Sequence, residues 1–154
     1  MSVRQTIMTA VKARMETIRV SNGYYSNLGY NITEWVDTES TAIPIENLPA
    51  LNIKDTSADI YTEVIGKWNH YLTIEFEIYC THLIDVSGEV RKIIEDVFTA
   101  IGTDPKWGSL ADYTDFETTQ GQKHLNIKIE TNEKNVAKAT FRLVTLYNTD
   151  YWKM

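Results

Sequence analysis

The 154 residues predict an α+β fold, a mostly antiparallel sheet with two amphipathic helices packed on one face. Three features predict it: a helical apolar repeat at the start, a strictly alternating stretch over 70–80, and a second helical repeat over 88–101 followed by shorter alternating segments. Helices that share one sheet face leave the other face polar. The length suits one hydrophobic core, and neither an internal repeat nor a low-complexity segment divides the chain, so 1–154 is read as a single domain.

In the first element Val3, Ile7, Ala10, Val11, Met15 and Ile18 recur at helical spacing, with Arg4, Lys12, Arg14 and Arg19 elsewhere on the wheel. The spacing predicts about five turns, ending at Ser21-Asn22-Gly23, where glycine suits a left-handed cap. Tyr30 to Asp37 reads as a strand and 38–47 as a loop. Leu48 to Lys54 reads as a short strand, with Pro49 at a sheet edge or at the strand's start because proline cannot donate to a ladder. Asp55-Thr56-Ser57 reads as a turn, and Asp59 to Lys67 as part of an extended hairpin.

Over 70–80, Leu72, Ile74, Phe76, Ile78 and Cys80 share one face, while Tyr71, Thr73, Glu75, Glu77 and Tyr79 share the other. Glu75 and Glu77 are read as solvent-facing acids, and the lone Cys80 as a buried, inert thiol. The acids and caps of 85–89 precede the second helix, carried by Val90, Ile93, Ile94, Val97, Phe98 and Ile101, with Gly102 as its stop. A loop begins at Asp104-Pro105. Strands follow at 112–117 and 125–129, joined through Gln120-Gly121-Gln122. A turn over 131–135 leads to a last strand, 137–147.

Hydrophobic residues make up 43% and charged residues 23%, the balance of a folded soluble domain. There is no run of about 20 apolar residues and no continuous apolar leader, so the expectation is a soluble protein made in the cytoplasm. One cysteine excludes an internal disulfide. A net charge of −6 argues against a general nucleic-acid binder, which needs a basic footprint. The charge is uneven. Glu34, Asp37, Glu39, Glu46, Asp55, Asp59 and Glu63 crowd the stretch before residue 64, whereas bases gather in 1–20 and in 123–142.

Motifs of chemistry are missing. His70, His82 and His124 lack zinc-motif spacing, and no phosphate loop, dinucleotide fingerprint or nucleophile elbow occurs. Cys80 and His82 share a strand face but have no third member. The expectation is therefore no catalytic residue, no cofactor and no metal: not an enzyme. Aromatics suit a subunit interface better. The candidate contact residues are Tyr24, Tyr25, Trp35, Asp59, Glu63, Trp107, Tyr151 and Trp152.

An ordered set of short patterns then matters: Ile18-Arg19-Val20-Ser21-Asn22-Gly23-Tyr24-Tyr25 after the first helix, Leu28-Gly29, Leu48-Pro49-Ala50-Leu51, the long strand, the second helix, and Trp107-Gly108-Ser109-Leu110-Ala111. Across nearly the whole chain this order resembles the tail terminator proteins of long-tailed bacteriophages. The resemblance implies a virion protein that assembles as a homo-oligomeric ring, generally a hexamer, on the head-proximal end of the tail tube. Its implied partners are the tail tube protein, a head completion or neck protein and, in contractile tails, the sheath protein, with DNA passing non-specifically through the ring. Acids between Glu34 and Glu63 and the loop 104–117 are candidates for the lumen. Other readings stay open: a head–tail connector, stopper or tube subunit, a small-ligand-binding α+β domain, or an enzyme whose pocket joins distant residues such as His70 and His124.

Overall fold

The computed structural model describes residues 1–38, 43–132 and 134–154. Its elements are α1 (Val3–Met15), β1 (Ile32–Glu34), β2 (Ala50–Tyr61), β3 (Lys67–Thr81), α2 (Val86–Thr103), β4 (Tyr113–Thr119), β5 (Gln122–His124), β6 (Lys128–Thr131) and β7 (Val136–Asp150), with short 3₁₀ turns before β1 and β2. The seven strands are ordered β1-β2-β3-β7-β4-β5, and β6 also pairs with β7. Every pairing is antiparallel except β1 with β2. The α+β expectation holds.

The core lies between the two helices and one face of the sheet. Leu72, Ile74, Phe76, Ile78 and Cys80 of β3, with Ala137, Ala139, Phe141 and Leu143 of β7, meet Ile7, Val11 and Met15 of α1 and Val90, Ile93, Val97 and Ala100 of α2. Phe76 stacks on Phe141 at 5.1 Å, and Phe98 of α2 leans on the same ring at 5.0 Å. Cys80 is buried and its thiol is pushed up to about 12 by desolvation, so it stays protonated and inert. Among the described residues no helix is long and apolar enough to cross a membrane.

Several boundaries differ from the sequence expectation, each for a local reason. Helix α1 stops at Met15 because the chain tightens, with Thr17 and Ile18 amides donating to Arg14 and Met15 carbonyls. Gly29 packs on that end, its amide donating to Ile18 O at 2.8 Å. A Cβ there would lie 2.5 Å from Glu16 O, so only glycine fits. Ile18 stays in the core without belonging to the helix. The strand expected over 30–37 shortens to β1, since Trp35 adopts φ 55°. The expected turn at Asp55-Thr56-Ser57 is a β-bulge inside a continuous β2. Arg4 holds it there: Nε donates to Asp55 Oδ2 at 2.6 Å and Nη2 to Asp55 O at 3.2 Å.

Gly102 does not stop α2, which runs on to Thr103; the break comes at Asp104, whose φ of −152° fits a residue ahead of proline. Of the strand expected over 125–129, only Lys128 and Ile129 are in a strand: residues 125–127 link β5, which pairs with β4, to β6, which pairs with β7. Parts of the expected loop 38–47 and turn 131–135, including the acids Glu39 and Glu133, lie outside the described residues.

One polar group is buried at a cost. His70 lies on the core face of β3, stacked on Tyr147 at 4.5 Å, and its Nε2 sits 2.8 Å from Thr149 Oγ1. That hydroxyl donates to Lys153 O, so it accepts from Nε2–H and leaves Nδ1 bare and without a partner. Burial, with the Arg4 guanidinium nearby, holds His70 below the ordinary histidine value. A lowered folded-state value means that the unfolded chain binds the proton first. Stability is therefore full above about pH 6.5 and falls as pH drops through the lower folded value. Thermal melts between pH 7 and 5 are expected to show this loss in the native protein and a shallower slope in His70→Gln; equal slopes would refute the account.

Candidate interaction surface

Alternation along β3 sends Tyr71, Thr73, Glu75, Glu77 and Tyr79 to the face opposite the helices. This face is not uniformly wet. Glu77 is 2% exposed, which corrects its reading as a solvent-facing acid. It is flanked by Asn52 on β2 and Thr140 on β7, and two lysines reach over it: Lys54 Nζ at 2.8 Å from Oε1 and Lys138 Nζ at 3.0 Å from Oε2. Asn52 Nδ2 donates to Oε1 at 3.0 Å and to Val36 O at 2.8 Å, tying the segment after β1 to this cluster. Burial alone would raise the Glu77 carboxyl, but the two ammoniums bring it below the usual glutamate value.

The shallow hollows of this face include two that span several strands. One, of about 590 Å³, is lined by Tyr61, Tyr71, Tyr113, Asp59, Asp115 and Leu146, among others. The β4–β5 hairpin forms its wall, and Lys123 of β5 pairs with Asp115. The other, of about 520 Å³, mixes charges of both signs, among them Glu75, Glu117, His124, Lys138 and Arg142. Among the described residues no group of three or more histidine, cysteine, aspartate or glutamate side chains is placed to hold a metal. His124 is on this face and His70 is in the core, so the structure does not bring them together.

Exposed apolar side chains occur at several places, among them Tyr30, Ile45 and Trp152, but the most exposed aliphatic pairs among the described residues lie at the two ends of β3. At one end the β2–β3 hairpin carries Ile60, Tyr61, Val64 and Ile65, the last two 63% and 94% exposed. At the other end, between β3 and α2, Leu83 is 100% and Ile84 92% exposed. That corner is tightly held. His82 Nδ1 accepts from the amides of Ile84 (3.1 Å) and Asp85 (2.8 Å), Asn135 Nδ2 donates to His82 O (2.5 Å), and Asp85 caps α2 through Gly88 N (2.9 Å). Fully exposed aliphatic side chains on an ordered turn are what a docking anchor requires.

The candidate contact residues fall into different surroundings. Trp107 is a core residue: it is buried, and its indole Nε1 donates to Thr145 Oγ1 at 3.1 Å. Tyr24 packs partly against the core. Tyr25 is half exposed, its hydroxyl donating to Glu89 at 2.7 Å and its amide to Asp96 at 3.0 Å. Trp35 is exposed, with its indole donating to Asp55 at 2.7 Å. Tyr151 and Trp152 pack around Trp68 at 5.7 and 5.1 Å. Asp59 and Glu63 are exposed on the β2–β3 hairpin. The apolar pairs Val64-Ile65 and Leu83-Ile84 escaped the sequence reading, although consecutive aliphatics in a turn are a legible signal, since a turn has no core to receive them.

No family model matches the chain, and no curated protein matches it significantly.

The Glu77 cluster gives a direct test. Glu77→Gln removes the charge that both lysines share and is expected to cost about 1–3 kcal/mol of stability. The depressed carboxyl means that this stability is present above the ordinary glutamate value and is lost as pH falls through the lower folded one. Urea unfolding of both proteins at pH 7 should therefore differ, and the difference should shrink on acidification. A difference independent of pH would sink the charge account.

Proposed function

We propose that the chain is a structural subunit of a long-tailed phage virion, a tail terminator that assembles as a ring on the head-proximal end of the tail tube. The observation that carries this reading is the placement of two exposed apolar groups at opposite ends of one strand. β3 has 15 residues, so the hairpin tip and the Leu83–Ile84 corner are separated by roughly 45 Å along it. A subunit with sticky groups at both ends and a rigid sheet between them is suited to join two different partners, one above and one below. In a terminator these are the last ring of tube protein and the neck protein that completes the head.

The action is steric and needs no bond chemistry. One end fits the tube, and the other does not reproduce the tube's own growing surface, so polymerisation ends there. An acid-rich chain of net charge −6 also suits a passage through which DNA slides without sticking.

Electron microscopy of the protein mixed with tails assembled without a terminator tests the reading. Rings on one tube end, with growth stopped there, are expected; continued stacking would instead indicate a tube subunit. Protein that stays off tube ends under conditions where the tail's own terminator binds would remove the proposal. Leu83→Asp with Ile84→Asp is a companion variant. Each side chain buried in a contact contributes about 1.5–3 kcal/mol, so one of the two attachments should weaken at least tenfold while the melting temperature stays unchanged.

A further inference from the structure

The sheet has two lateral edges, and each is only partly covered. On one side β1 pairs with β2 over Leu51–Ile53, leaving the outer edge of residues 57–61 without a strand partner among the described residues. On the other side β6 (Lys128–Thr131) pairs, among the described residues, with β7 on its inner edge only, and all its residues are exposed. Unpaired edges present rows of amides and carbonyls ready to accept another strand.

We infer that residues 57–61 of one copy pair with Lys128–Thr131 of the next, joining neighbouring sheets around the ring. The inference rests on the ring proposed above for its closure. Direction supports it. β2 runs antiparallel to β3, β3 to β7 and β7 to β6. A neighbour in the same orientation therefore brings its β2 antiparallel to β6, continuing the alternation. The segments are close in length, five residues against four, and Asp59 on one can stand opposite Lys128 on the other, which lies 2.9 Å from Glu130 of its own strand.

The covered parts of the edges determine which segments can meet. Across the sheet, Asp59, Tyr71, Leu146 and Tyr113 form one row, so β4 lies level with the free part of β2. Pairing those two would place the neighbour's β1 where β6 already stands, since both sit beside the row Leu51, Ile78 and Ala139. Pairing with β6 instead, with Asp59 opposite Lys128, shifts the neighbour by six residues, on the order of 20 Å, and carries its β1 past the end of β6. Four strands are roughly 19 Å wide. Together these give a tilt of roughly 46°, close to the about 35–45° of closed sheets. In this scheme β1 works as a register stop.

Amide hydrogen exchange on the self-associated protein without tubes, and on capped tubes, tests the contact. Relative to the dilute monomer, amides in both 57–61 and 128–131 are expected to slow at least tenfold. Asp59→Lys should weaken association at least tenfold, as should Lys128→Asp, and the two changes combined should restore it. Association with both segments protected but without tube capping would defeat the terminator reading and keep the edge contact. Rings on tubes whose two segments exchange as in the monomer would overturn the edge contact and keep the terminator. Protection of one segment alone, or protein that remains monomeric and off the tubes, would also overturn the edge contact.

Discussion

Everything in this fold hangs on the pairing of β3 with β7. The two strands run side by side in unbroken register from Lys67 opposite Asp150 to Thr81 opposite Val136. Because side chains alternate along a strand, that single ladder creates both working faces at once. One is the apolar floor on which α1 and α2 pack; the other is the charged surface around Glu77. β2 extends the floor on one side, while β4 and β6 share the far edge of β7 on the other. A one-residue slip of β3 along the ladder would send Phe76 to the polar face and Glu77 into the core, so the register is held by the whole pattern.

The parts of the fold that could be read in the sequence are those where the pattern is long. Five apolar residues in alternation announce β3, and the 3.6-residue repeat of Val90 to Ile101 announces α2. Short signals were overridden by tertiary partners. Asp55-Thr56-Ser57 has the composition of a turn, but Arg4, fifty-one residues away, holds Asp55 inside a strand. Gly102 looks like a helix stop, yet it faces open space and is tolerated within α2. The pairing of β1 parallel to β2 leaves no local trace, because it depends on contacts across a turn and a loop.

The surface was less legible than the fold, for a physical reason. Aromatic residues are attractive both to a core and to a partner, so Trp107 could be counted with Trp152 until its indole was seen to meet Thr145 inside the protein. Glu77 failed in the opposite direction. Its position on the outward face was correctly read, but it is buried there, with the ammoniums of Lys54 and Lys138 beside its carboxylate. The exposed aliphatic pairs at the two ends of β3 depend on three-dimensional placement: separated by a strand's length, they become opposite poles only once that strand has formed.

The same ladder has a mechanical meaning. Its hydrogen bonds lie perpendicular to the strands, so a pull between the hairpin tip and the Leu83–Ile84 corner acts along β3 and across every rung. Such a load runs through the covalent backbone of β3, already close to full extension, while the rungs to β2 and β7 hold the strand in place. A sideways pull on the β4–β5 hairpin would instead peel it away one bond at a time. The molecule is therefore stiff along one axis and yielding along another, a property suited to a coupling piece that carries tension.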